Sequence, residues 1–202
     1  MENKIDHFKT KSKSWDMNSR RVQNAKSIAE FIVKNIKLSK NMEIVDFGAG
    51  TGLLSYFVAP YVGKIIAIDN SPSMLEKFKE KHTDFACDTE VFEGDLYEIY
   101  PERKFDGIVS SMTMHHIEKI SALFSIFYET LKTDGFIAIA DLDTEDGTFH
   151  DDSTGVFHRG FDRQILKETA KKAGFKEIFF ETASTISKPH CEFTVFLMTA
   201  KK

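Results

Sequence analysis

The run Val45-Asp46-Phe47-Gly48-Ala49-Gly50-Thr51-Gly52 constrains this chain more than any other stretch. An apolar segment, 42–47, leads into it, and a segment of helical spacing, 53–59, leaves it. A strand that passes through closely spaced glycines into a helix offers a bare backbone to a ligand, with free N–H groups at the helix start. A dinucleotide-binding turn places a third small residue three positions after its second glycine. Here that position is Leu53, and the third glycine comes early, at Gly52. Asp46, just ahead of the loop, would repel a pyrophosphate and attract a ligand bearing ammonium and sulfonium charge. Both departures point away from NAD.

Strand-like and helix-like runs alternate around this loop. Val22, Ala25, Ile28, Ala29, Ile32, Val33 and Ile36 recur at three- and four-residue steps and predict an amphipathic helix over 18–38. Strands are predicted over 42–47, 64–68, 89–92, 105–110 and 135–140. Helices are predicted over 53–59, 71–81, 117–131 and 161–173, the last stopped by Gly174. Such alternation implies parallel pairing through right-handed crossovers. The tail differs: two β-rich runs, 176–182 and 192–199, flank a short loop with Pro189 and predict an antiparallel hairpin at the sheet edge. The expected fold is α/β: a Rossmann-like, doubly wound, mostly parallel seven-stranded sheet with a reversed C-terminal edge strand and helices on both faces. A chain of 202 residues holds one such domain, read as 18–202. Residues 1–17 form a polar arm whose Trp15, beside Asp16, is either a latch onto the body or a lid over ligand.

Further acids fall at strand ends. Asp69 closes Lys64-Ile-Ile-Ala-Ile-Asp69, 19 residues after Gly50, where a carboxylate can accept hydrogen bonds from both ribose hydroxyls. Asp95 ends the third strand and can receive an adenine amino group, with Leu96 supplying a backbone N–H. The fourth strand runs through Ser110 and Ser111 into Met112-Thr-Met-His-His116. All four clusters lie at the carboxyl ends of predicted parallel strands, where open α/β sheets bind ligands.

In this order the loop and acids resemble class I S-adenosylmethionine-dependent methyltransferases, specifically the small family-11/12-like enzymes. The resemblance extends to Leu131-Lys-Thr-Asp-Gly-Phe-Ile-Ala-Ile-Ala140 and His158-Arg-Gly-Phe-Asp-Arg163. It implies that Gly48, Ala49 and Gly50 approach the methionyl part of S-adenosyl-L-methionine, with Asp46 near its ammonium end. Asp69 would hold the ribose, Asn70 and Met74 would border the adenine, and Asp95 and Leu96 would recognise its amino edge. Ser110, Ser111 and His115 would line the floor between sulfonium and acceptor. The chain has Ser-Ser-Met-Thr-Met-His-His where adenine-amine and glutamine-amide methylating relatives carry Asn/Asp-Pro-Pro-aromatic. Two cysteines, Cys87 and Cys191, match poorly the several that arsenic methyltransferases use, and they cannot build a disulfide framework or a Cys-rich zinc site.

His115 and His158 are the candidate general bases. No metal is expected, because the histidines lack a helix-borne ligand spacing. The loop after the fifth strand carries six acids between Asp141 and Asp152, which fits a cationic or polar acceptor. Net charge is −4, from 27 Lys/Arg and 31 Asp/Glu, and argues against a general nucleic-acid binder. Residues 1–40 nevertheless carry +6, ten basic against four acidic, leaving −10 on the rest. The expected activity is methyl transfer to a small molecule, releasing S-adenosyl-L-homocysteine. An RNA or protein methyltransferase and a non-catalytic cofactor-binding protein are the alternatives. The start lacks a signal peptide's apolar stretch and no run is long enough for a membrane helix, so the expected setting is the cytoplasm, without membrane association.

Overall fold

The computed structural model describes residue 6 and residues 9–99, 103–150, 155–189 and 191–202. Its strands are β1 (Glu43–Phe47), β2 (Lys64–Asp69), β3 (Asp88–Glu93), β4 (Phe105–Ser111), β5 (Leu131–Leu142), β6 (Lys176–Lys188) and β7 (Cys191–Lys201). The helices are α1 (Ser19–Asn35), α2 (Leu53–Val58), α3 (Pro72–Glu80), α4 (Leu96–Ile99), α5 (Ile120–Thr130) and α6 (Arg163–Lys172). One sheet takes the order β3-β2-β1-β4-β5-β7-β6. The pairs from β3 to β5 are parallel, whereas β7 runs antiparallel to both β5 and β6. The C-terminal hairpin closes the edge as its two β-rich runs predict, with reversed β7 inside and β6 outermost.

Side chains alternate between two cores. On one face Ile44, Ile65 and Ala67 pack with Ile28 and Ile32 of α1, Leu54 and Val58 of α2 and Phe78 of α3. On the other, Val45, Ile66 and Ile68 pack with Leu96 of α4, Phe124 and Phe127 of α5 and Leu166 of α6. Burial on both faces is why these strands read as continuous apolar runs.

Element starts follow capping chemistry. Asn18 Oδ1 accepts the N–H groups of Arg20 and Arg21 at 3.1 and 3.2 Å and opens α1. Ser71 Oγ accepts the Met74 N–H at 3.3 Å, with Pro72 in the first helical turn, and opens α3. Asp162 caps α6, which begins at Arg163, two residues later than its apolar spacing predicts. Phe161 is instead held in a parallel bridge with Asp143. Similarly α5 begins at Ile120 rather than 117, because Ile117 is extended after the Met114–His116 3-10 turn. The four-residue α4 is too short to leave a periodic signature.

The sheet order reverses at β1. After β3 the chain crosses back to lay β4 on the other side of β1, and the crevice at the carboxyl ends of these two strands is where such sheets bind ligands. Phe127, fully buried, meets the Phe47 ring edge-on at 5.2 Å directly beneath that crevice. Phe127→Ala is expected to cost about 3–5 kcal/mol, read as a lowered midpoint in urea unfolding with the slope unchanged.

Candidate active site

The glycines of the β1–α2 loop serve different ends. Gly48 and Gly50 both have positive φ, +70° and +56°. A Cβ on Gly48 would lie 2.2 Å from Thr113 Cγ2, whereas one on Gly50 would meet nothing within 4 Å. Gly48 therefore lets the end of β4 close against the loop, and Gly50 faces open space in which a ligand can lie. Thr113 Oγ1 donates to Gly48 O at 3.3 Å, and Ser110 Oγ donates to Phe47 O at 2.7 Å. Across the loop, the Gly48 and Ala49 N–H groups donate to Ile68 O at 2.8 and 3.0 Å. The Ser110 hydroxyl thus braces the strands, while half-buried Ser111 accepts from Thr113 through its carbonyl at 3.2 Å.

Asp69 joins two loops. Its Oδ2 accepts the Gly50 N–H and its Oδ1 the Ser71 N–H, both at 2.8 Å. Burial raises its pKa, and these backbone donors oppose the rise. Each oxygen keeps a lone pair for a further donor. Asp46 lies beneath the loop, 1% exposed, accepting the Ser55 hydroxyl at 2.6 Å. Burial pushes its pKa up to about 7, with the Ser55 hydrogen bond opposing and the nearby Asp69 charge adding to the rise. Asp95 is half-buried at the β3–α4 turn, its N–H bonded to the Glu98 carboxylate at 3.1 Å. Asn70 is exposed; Met74 and Leu96 are buried, Leu96 in the core under β1 and β2. The open side of Gly50, whose N–H is held by Asp69, suits a ligand with donor hydroxyls.

Three histidines gather at the ends of β4 and β5. His115, 1% exposed, sets its Nδ1 2.7 Å from Oδ1 of fully buried Asp141. Asp141 also accepts the backbone N–H of His115 at 3.1 Å and of Leu142 at 2.8 Å. The His115 ring lies 4.2 Å from the His116 ring and 4.8 Å from the His150 ring. His116 Nδ1 is 2.7 Å from Gly155 O, and burial lowers its pKa. The Nε2 of His150 is buried without a hydrogen-bond partner, at a cost of about 1–3 kcal/mol. Spacing along the chain does not reveal Asp141 or His150 as members of this group, because β5 and its loop bring them in from 25 or more residues away. His158 is turned elsewhere: its Nε2–H donates to Ile117 O at 2.9 Å and ties the β5–α6 loop to the chain after β4. Among the described residues, no group of three or more His, Cys, Asp or Glu is arranged to hold a metal ion, and no helix is long and apolar enough to cross a membrane.

Described residues of the arm reach the β1–α2 loop and the start of α3. Asp16 accepts the Thr51 hydroxyl at 2.5 Å and pairs with Lys81. Asp6 accepts the Ser71 hydroxyl at 2.8 Å and the Ser73 N–H at 3.2 Å. Lys11 is near enough to His116 for its charge to be felt there. Trp15 lies under the Arg21 guanidinium, 3.8 Å from ring centroid to carbon. Asp16 and Asp6 therefore hold the glycine loop and the turn after β2.

Comparisons with known proteins bear on the fold and the domain family. Residues 44–135 match the family described as Methyltransferase domain. An uncharacterised methyltransferase of Schizosaccharomyces pombe is 33% identical over 70% of this chain and 56% of its own length. Phosphoethanolamine N-methyltransferase 1 of Zea mays is 28% identical over 78% of this chain and 32% of its own length. The chain thus spans about half and about a third of these curated relatives. Phosphoethanolamine N-methyltransferase 2 of Haemonchus contortus, solved with S-adenosyl-L-methionine, superposes with a TM-score of 0.70 at 16% identity, covering 98% of this chain and 60% of that one. Residues 44–135 thus carry the match to a methyltransferase domain, and the chain has the Rossmann-like fold of the solved methyltransferases on which it superposes.

The raised pKa of Asp46 carries a stability consequence. The folded state holds this proton up to about pH 7, while the unfolded chain releases it near 3.8. Folding stability contributed by this group therefore falls as pH rises from about 4 to about 7. Asp46→Asn is expected to flatten the decline of melting temperature across that window in ligand-free protein. An unchanged pH profile in thermal unfolding would contradict the assignment.

Proposed function

We propose that this chain transfers the methyl group of S-adenosyl-L-methionine to a small polar acceptor, with His115 as the general base. The observation that carries this reading is the buried His115–Asp141 pair, two residues along the chain from the Thr113 side chain that touches the cofactor-side loop. When bound, the cofactor supplies a methyl group on a sulfonium sulfur, already a good leaving group. The protein's own work is to align, to exclude water and to take a proton. In this reading Gly48, Ala49 and Gly50 receive the methionyl part and Asp46 faces its positive end. Asp69 accepts the ribose hydroxyls, while Asp95, Leu96, Asn70 and Met74 surround the adenine, and Ser110 and Ser111 floor the crevice. Asp141 is a positioning residue. By accepting Nδ1–H it turns the His115 Nε2 lone pair outward for the acceptor's proton, and it stabilises the imidazolium that forms.

The acceptor is a small molecule, and an amine fits best. Asp141 and Glu145 act on the histidine cluster, and the maize relative is named for an amine acceptor. Incubation with labelled cofactor and phosphoethanolamine, sarcosine, RNA or protein pools distinguishes the acceptor classes. Label in RNA or protein alone overturns the small-molecule reading. With the acceptor that works, His115→Asn is expected to lower kcat by about 10²–10⁴-fold while S-adenosyl-L-homocysteine affinity stays within about twofold. Asp141→Asn should lower kcat less while S-adenosyl-L-homocysteine affinity stays within about twofold, a split that loss of packing alone would not produce.

The arm acts as the lid of the same site, held through Asp16 on Thr51 and Lys81 and through Asp6 on Ser71. Covering the crevice keeps water from the reacting atoms. Deleting residues 1–17 is expected to leave S-adenosyl-L-homocysteine binding within about tenfold, or 1.4 kcal/mol, by calorimetry, while turnover falls much further. Unchanged turnover per folded molecule with a lowered melting temperature would reduce the arm to a staple.

A further inference from the structure

We propose that His150 is a specificity-determining residue whose Nε2 hydrogen-bonds a hydroxyl or amine of the methyl acceptor. The inference rests on the transfer activity proposed above and names a group in its acceptor subsite. Among the described residues, this nitrogen is the buried side-chain polar atom that has no partner. Such an atom is costly to keep in a fold and is retained where a ligand completes it. Its location fits that role. The ring stands 4.8 Å from that of His115 and 6.0 Å from that of His116, beside the proposed base.

The ring is also held firmly. Its neighbour Phe149 packs edge-on to it at 4.8 Å and edge-on to Phe193 of β7 at 5.1 Å. The Phe149 N–H donates to the Glu145 carboxylate at 3.2 Å, and the Phe149 carbonyl accepts from Lys188 of β6. The backbone entering His150 is thus pinned from the loop and from the edge strands, and the unpaired nitrogen is a fixed feature of the site. Burial, with charge from His115 and His116 and against the opposing pull of Glu145 and Asp141, lowers the His150 pKa to about 4. The ring is then neutral at ordinary pH, with one N–H and one lone pair to offer. A neutral imidazole reads a hydroxyl or amine without adding charge beside the sulfonium.

Two measurements test the assignment, and one needs no acceptor. In ligand-free protein, His150→Phe exchanges an unpaired buried nitrogen for an apolar ring and is expected to raise the melting temperature; a lower melting temperature would make His150 a structural residue and overturn the proposal. In the assay, with phosphoethanolamine or sarcosine as the probe, His150→Phe is expected to raise KM for the probe at least tenfold. S-adenosyl-L-homocysteine affinity should stay within twofold, and His150→Asn should restore part of the KM. An unchanged KM, or a parallel loss of S-adenosyl-L-homocysteine affinity, also overturns it. Failure of the wild-type protein to methylate either probe counts against the small-amine reading, while the melting temperatures still decide the role of His150.

Discussion

At the carboxyl end of β1, Gly48 lacks the side chain that would collide with Thr113, and the end of β4 closes onto the loop because of it. Everything around the crevice depends on that contact. It places two strands that the topology drives apart in sequence, with β2 and β3 between them, side by side at the point where the sheet order reverses. Ser110 and Thr113 then bond the main chain of β1 and its loop, so the β4 end that carries the histidines is registered against the loop that faces the ligand. A methyl transfer needs donor and acceptor aligned to within fractions of an ångström, and a shared backbone contact is stiffer than any pair of long side chains.

Electrostatics divides the crevice into two halves. Beneath and beside the glycine loop lie Asp46 and Asp69, both with raised pKa from burial. Their proximity raises the cost of ionising both, and a cation on the ligand relieves it. Across the switch point, Asp141 is buried with three N–H partners around it. The arm joins them, with acidic side chains on the loops of the first half and Lys11 close to His116 in the second.

Much of this is legible in the residues alone, for physical reasons. Apolar spacing exposed α1 because the helix buries a single face, and apolar runs exposed β1 and β2 because both strands are buried over most of their length. The glycine loop and the acids at the ends of β1, β2 and β3 could be found because parallel strands deliver their carboxyl ends to one rim, so a local pattern has a global meaning. The hairpin was legible from two β-rich runs with no helix between them. Boundaries were less so: α6 loses Phe161 to a bridge with Asp143, and α5 starts late after an extended Ile117 whose carbonyl accepts from distant His158.

The site divides along the same line. By itself the sequence determined the fold class and placed the glycine loop and its carboxylates at strand ends, since these follow from order along the chain. Only the tertiary structure decided which histidine meets a buried carboxylate. Asp141 reaches His115 because β5 pairs with β4, His150 joins them because Phe149 is clamped against the edge strands, and His158 is turned to the Ile117 carbonyl. Likewise nothing in the arm's composition announces that Asp6 and Asp16 hold Ser71 and Thr51. Hydrogen-bond partners depend on angstrom-scale placement of groups far apart in the chain, and that information exists only once the sheet has formed.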